Sequence, residues 1–252
     1  MKNILLLSAL AFLLWSCADD SSDVSAAAAT DTGVGGSLAR FTILGDHLYT
    51  VSQTTLSTFD ISDPDAPEKV DETVVTRGVE TIFPLKGYLL LGTQRGMFIY
   101  QIQDNGLPAY VSHYEHVVSC DPVVANQEYA YVTLRVSDCR DAGVGAANSL
   151  DVINIENIES PQLVNQLLLD SPFGLGMDGA LLFVCQGASG LRIFSLEDPE
   201  APRELLLLPD MNARDVIPLD GTLLVVGPDH LTQLDYSDLE NIRVVSQLSI
   251  GA

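Results

Sequence analysis

One pattern of roughly forty residues recurs five times between Leu38 and Ile250, and no other feature of the chain limits its fold as strongly. Each copy holds three apolar runs, a turn rich in Asp, Asn or Pro, and a fourth run: FDISDPDAPEKV, YQIQDNGLPAYV, INIENIESPQLV, FSLEDPEAPREL and LDYSDLENIRVV. A proline stands at the same place in the first four, at Pro67, Pro108, Pro161 and Pro202, spaced 41, 53 and 41 residues apart. Four short strands per repeat at this period are the mark of a β-propeller, so the expected architecture is all-β with five four-stranded blades.

Aligning the copies places the strands. In the second repeat the runs are Val79–Leu85, Tyr88–Thr93, Met97–Gln103 and Ala109–Val117, and in the fourth they are Phe173–Met177, Ala180–Gln186, Leu191–Leu196 and Pro202–Leu208. Lys86-Gly87, Asp178-Gly179 and Asp220-Gly221 lie between first and second runs, where a tight hairpin with both turn residues at positive φ is expected. The proline falls where an outer edge strand begins, a position that tolerates a missing N–H. Near-continuous apolar stretches such as Tyr88-Leu89-Leu90-Leu91 fit strands buried on both faces between blades. The first repeat supplies its own first strand, Ala39–Leu44, so no terminal strand remains to lock the last blade to the first, and closure is expected to rest on side-chain packing.

Residues 1–16 stand outside the fold. Met1-Lys2-Asn3 followed by the apolar run Ile4–Trp15 reads as a secretion signal, too short to span a bilayer comfortably. The segment Leu14-Trp15-Ser16-Cys17 resembles the lipobox of bacterial lipoproteins, although Trp15 is an unusual occupant of its position. That resemblance implies cleavage before Cys17 and a lipid on its thiol, with several acyl chains anchoring where one would not. Residues 17–37, mostly Asp, Ser, Ala, Thr and Gly, read as a disordered tether, and residues 38–252 as the propeller. The implied address is a bacterial cell envelope, on the outer membrane, with the periplasmic or surface side left open.

Removing the signal takes away Lys2 and no acid, leaving 11 basic and 34 acidic residues and a formal charge of −23. Such a balance repels nucleic acid and anionic headgroups, so nucleic acid is not an expected partner.

The segment Gly190-Leu191-Arg192-Ile193-Phe194-Ser195-Leu196-Glu197-Asp198-Pro199-Glu200-Ala201-Pro202 resembles the LVIVD repeat, usually close to GLRIIDISDPANP after a YAYVA-like strand. Here that strand is Tyr129-Ala130-Tyr131-Val132 in the third repeat and His47-Leu48-Tyr49-Thr50-Val51 in the first. The likeness spans essentially the whole chain after the tether and weakens at Asn105-Gly106-Leu107 and at Asn241-Ile242, where the fifth copy lacks the proline. It implies a propeller on secreted or surface-anchored bacterial proteins and carries no shared catalytic residues.

Of the four cysteines, Cys17 is the one that the lipobox resemblance implies carries the lipid. Cys120 opens the third repeat and Cys139 lies in the long insertion Ser137–Ser149. Both fall on one face of a blade, where an oxidising envelope would let them form a disulfide, with free or metal-bound thiols as the alternative. Cys185, in an apolar strand, reads as a small buried hydrophobe.

The search for chemistry returns little. His113 and His116 point to opposite sides of a strand, and Asp60, Asp63 and Asp65 lack the glycine and distal glutamate of a calcium loop and read as turn residues. Gly187-Ala188-Ser189-Gly190 is one residue short of a nucleophile elbow and reads as a hairpin. No cofactor is implied.

One column stands out. Arg40, Thr81, Asp121, Phe173 and Asp215 align where the innermost strands begin, with Glu80 and Arg214 one position earlier, so charged groups ring the mouth of the axial channel. Either an arginine pairs with Asp121 or Asp215 and water fills the channel, or the mouth is a small-ligand, sugar or cation site. The expected role is an anchored binding protein that presents its loop face to a protein or polysaccharide. The alternative is a carbohydrate-processing enzyme using Glu80, Asp121 and Asp215, two of which must face each other at about 5–10 Å.

Overall fold

A computed structural model describes residues 36–116, 122–136 and 147–251, which form a five-bladed β-propeller of antiparallel four-stranded sheets. Blade 1 is β1 (Phe41–Leu44), β2 (His47–Val51), β3 (Thr55–Asp60) and β4 (Glu68–Val74). Blade 2 is β5 (Val79–Leu85), β6 (Tyr88–Thr93), β7 (Gly96–Ile102) and β8 (Pro108–Glu115). Blade 3 is β9 (Val123–Ala125), β10 (Tyr129–Leu134), β11 (Ser149–Asn154) and β12 (Gln162–Leu168). Blade 4 is β13 (Leu175–Asp178), β14 (Leu181–Cys185), β15 (Leu191–Ser195) and β16 (Arg203–Leu208). Blade 5 is β17 (Asp215–Leu219), β18 (Thr222–Val226), β19 (His230–Asp235) and β20 (Arg243–Ser249). The strands of the second and fourth repeats fall within two residues of their expected bounds, and the fifth repeat forms a full blade without its proline.

The repeated turn has one geometry throughout. The side-chain oxygens of Asp63, Asn105, Asn157, Asp198 and Asp238 each accept a hydrogen bond from the backbone N–H two residues on, between the third and fourth strands. This local bond is why Asp or Asn recurs there, since its short side chain closes the turn on the chain's own backbone. Asp60 does the same for Ser62, so the acidic cluster serves as turn residues. Every third-to-fourth strand pairing then shifts register by a bulge, which twists the outer edge. At the inner hairpins, both turn residues take positive φ at Asp220-Gly221 (43° and 80°), whereas Gly179 (54°) and Gly87 (79°) take it without Asp178 or Lys86. The aspartate therefore does not dictate a common turn type; glycine alone meets the requirement in those two hairpins.

Tyrosines of the repeat stitch blades together. Tyr49 Oη donates to the Gly106 carbonyl (2.7 Å), Tyr131 Oη to the Pro199 carbonyl (3.0 Å) and Tyr236 Oη to Asp178 (2.5 Å). Burial pushes the Tyr49 phenol up to about 12 and raises Tyr131 and Tyr236 further, so each stays a donor at ordinary pH.

Four of the blade interfaces hold buried apolar clusters. Tyr49, Val51 and Leu56 meet Val79, Leu89 and Leu91 between blades 1 and 2. Leu90 and Ile99 meet Val123, Ala130 and Val132 between blades 2 and 3, and Tyr131 and Val152 meet Leu182 and Phe194 between blades 3 and 4. Phe183, Cys185 and Ile193 meet Val216, Val225 and Leu234 between blades 4 and 5. Cys185 is fully buried, and burial raises its thiol pKa well above the ordinary value, as befits a core side chain. Among the described residues, no such cluster joins blade 5 to blade 1.

Candidate functional site

The innermost strands all begin on one face, so the segments before them, together with the second-to-third strand hairpins, surround the channel mouth. Below it lies a cavity of about 210 Å³ lined by residues of all five inner strands, including Phe41, Phe83, Pro84, Met177, Val216 and Pro218. An inner strand is a sheet edge whose free N–H groups would face the channel; Pro84 and Pro218 have none, which makes this wall apolar.

Asp215 is the most constrained of the mouth residues. It is 9% exposed, and Ser37 Oγ donates to its Oδ1 (3.1 Å) while the Leu38 N–H donates to Oδ2 (3.4 Å). The Ser37 hydroxyl in turn accepts from the Leu175 N–H at the start of β13 (2.7 Å). One serine thus ties the segment ahead of blade 1 to both blade 4 and blade 5. The approach is close enough that a Cβ on Gly36 or Gly174 would land on the Asp215 carboxyl, so both positions require glycine. Burial pushes the Asp215 pKa up to about 6, and the hydrogen bonds from Val216, Leu38 and Ser37 offset it only in part.

The expected pairing of an arginine with Asp215 is not what forms. Ser37 and Leu38 take its oxygens, because Gly36-Ser37, read as the end of the tether, pack against it, and column alignment of the strands could not show that. Arg40 is exposed and its guanidinium donates to the Val79 carbonyl (3.4 Å). Arg214 is exposed at its side chain, while its backbone joins Val226 (2.7 Å) and Gly174 (2.8 Å). Glu80 is half-buried and accepts from Gln94 Nε2 (3.2 Å), and Thr81 is buried. Asp121, Cys17, Cys120 and Cys139 lie outside the described residues, so the carboxylate arrangement at Asp121, the lipidation and the disulfide are untouched by this geometry.

Phe173 is half-buried, its carbonyl accepts from Thr133 Oγ1 (2.6 Å), and the Arg135 guanidinium stacks 4.2 Å from its ring centre. Beside them Gln186 is fully buried; its Oε1 accepts from the Asp170 N–H (3.2 Å) and its Nε2 has no partner. Gly187, Ser189 and Gly190 close the expected hairpin there by backbone bonds. Ser37, Arg135 and Gln186 escaped the sequence reading. Ser37 sits in a stretch of tether-like composition, and Arg135 and Gln186 are side chains at strand ends, which column alignment of first strands does not reach.

No family model matches the chain, and no curated protein matches it either. Solved structures do. A functionally unknown protein from Desulfotomaculum acetoxidans aligns with a TM-score of 0.68 at 11% identity, over 87% of this chain and 71% of that one. A Lactobacillus plantarum protein gives 0.64 at 12%, over 83% and 74%. The periplasmic gluconolactonase PpgL of Pseudomonas aeruginosa gives 0.63 at 13%, over 82% and 68%. At these identities the likeness carries the propeller fold and no chemistry.

Proposed function

We propose that this chain is a lipid-anchored bacterial envelope or cell-surface protein of the LVIVD-like repeat kind, whose propeller presents its mouth-side loop face to a protein or polysaccharide partner. The observation that carries the reading is the state of Asp215: both carboxyl oxygens serve the chain's own fold, while Arg40 and Arg214 beside it stand exposed. Groups of that kind, held by short connections on a rigid scaffold, suit recognition. Anchoring rests on the Leu14-Trp15-Ser16-Cys17 segment. Photo-crosslinkers placed at Arg40 and Arg214 in producing cells, against matched positions at Asp63 and Asp198 on the opposite face, test it. Adducts from the mouth side alone are expected, and equal adducts from both faces would overturn the assignment of the face. Protease treatment of intact cells separates a surface address, in which the domain is lost, from a periplasmic one, in which it survives until lysis.

A carbohydrate-processing enzyme is the second reading, favoured by one observation: a carboxyl raised to about 6 is suited to general acid catalysis. Asp215→Asn abolishing turnover of an oligosaccharide panel at unchanged stability would favour it over the binding reading.

A further inference from the structure

Positive charge in this chain is scarce, with 12 Lys and Arg against 34 Asp and Glu, yet its placement is uneven. On the face opposite the mouth, where the repeat turns put Asp63, Asp104, Glu159, Asp198 and Asp238, the cations are mostly paired. Arg243 meets Asp235 (2.8 Å), Arg203 meets Glu197 (3.8 Å), and Lys69 meets Glu72. On the mouth face, Arg40 precedes β1, Arg77 lies in the connection into β5, Arg95 in the β6–β7 hairpin and Arg214 ahead of β17. All four are exposed, and none has a carboxylate within ion-pair distance among the described residues. Arg135, by contrast, is engaged on the Phe173 ring.

Among the described residues, the acids near this face are largely occupied. Glu80 is bonded to Gln94, Asp170 faces Arg192 (3.8 Å), Glu115 faces His113 (3.5 Å), and Asp215 lies under Ser37. Asp210, in the connection from β16 to β17, and Asp229, in the β18–β19 hairpin, are exposed. With acids in such excess, arginines left open on one face form a donor-rich surface complementary to anionic oxygen. The buried Gln186 Nε2, a donor without an acceptor, lies on the same side.

We infer that the mouth face binds a carboxylated polysaccharide, a chain of uronic-acid type laid across the arginines of blades 1, 2 and 5. This rests on the binding role proposed above and names its ligand class. Guanidinium forks match carboxylates in two-point hydrogen bonds. Arginines spread over several blades call for a polymer with separated charges. A nucleic-acid duplex, with one charge per about 1.7 Å, is repelled by the net charge of −22 more strongly than a sugar chain with one carboxylate per residue.

The test uses the full-length chain in detergent and immobilised oligogalacturonate, with neutral dextran, dextran sulfate and single-stranded DNA as comparison arms. Retention on oligogalacturonate above dextran is expected. It should weaken by about tenfold or more in Arg77→Gln/Arg95→Gln and in Arg40→Gln/Arg214→Gln, and stay unchanged in Arg203→Gln/Arg243→Gln. Circular dichroism melts confirm that each variant folds. No preference over dextran, equal loss in the Arg203/Arg243 control, or binding of DNA or dextran sulfate as tight as that of oligogalacturonate would each overturn the inference. Mouth-side crosslinks with no galacturonate binding would sink this ligand class and leave the binding role standing.

Discussion

The interface between blades 3 and 4 and the seam between blades 5 and 1 are built from the same repeat yet closed by different physics. At the first, Tyr131, Val152, Leu182, Val184 and Phe194 are all at most 2% exposed. At the seam, Ile217, Leu224 and Val226 of blade 5 and Ile43, Leu48 and Phe59 of blade 1 are only half-buried, with Phe41 and Leu248 each 61% exposed. Cross-strand pairing puts each set on one sheet face: Ile217 opposes Leu224, Val226 opposes Leu231, and Ile43 opposes Leu48, which opposes Phe59. Apolar area removed from water thus joins consecutive blades, while the described polar ties across the ring ends run through Ser37 and Asp215. Repetition can specify contacts between neighbours in sequence. It leaves the meeting of first and last to residues outside the repeat.

The sharpest contrast comes from truncating one leucine in each place. Leu182→Ala, in a fully buried cluster, should lower unfolding free energy by about 2–5 kcal/mol, while Leu224→Ala on the seam should cost less than about 1 kcal/mol, both read by denaturant titration. Equal costs would mean that the seam is sealed like the rest.

Acidity acts on the seam with a definite sign. The Asp215 carboxyl titrates near 6 when folded and near 3.8 when exposed, so its ionised form is disfavoured in the folded ring at neutral pH. That penalty fades as pH falls from 7 towards 4, strengthening the wild type relative to Asp215→Asn by at most about 3 kcal/mol. Asp235, held down to about 2 by Ser237 and Arg243, gives up its contribution below that window. A wild-type-minus-variant difference that is flat or falls on acidification would contradict the burial of Asp215.

Ser37→Ala deletes a hydroxyl that both donates to Asp215 and accepts from Leu175, leaving two buried groups short of a partner. The expected loss is about 1–3 kcal/mol. Arg203→Gln, breaking an exposed pair on the far face, should change stability by less than about 0.5 kcal/mol.

Much of this fold was legible because its causes are local and periodic. The Asp or Asn of each turn, the proline opening β8, and the doubly apolar strand Tyr88–Thr93 each report on a few neighbouring residues. The candidate site was legible only as a column of positions. Its occupancy depended on Gly36-Ser37 folding back onto Asp215, a contact spanning 178 residues that no period reveals. The open arginines were equally hidden, since Arg77 and Arg95 share no column and meet on one face only once the strands are folded into blades.

Hydrogen exchange on the wild type and Ser37→Ala tests most directly whether this serine closes the ring. The account predicts faster exchange in Ser37→Ala confined to β1, β2, β17, β18 and the Leu175 amide, with β6, β10 and β14 as protected as before. Acceleration spread evenly around all five blades, or none at all, would contradict it.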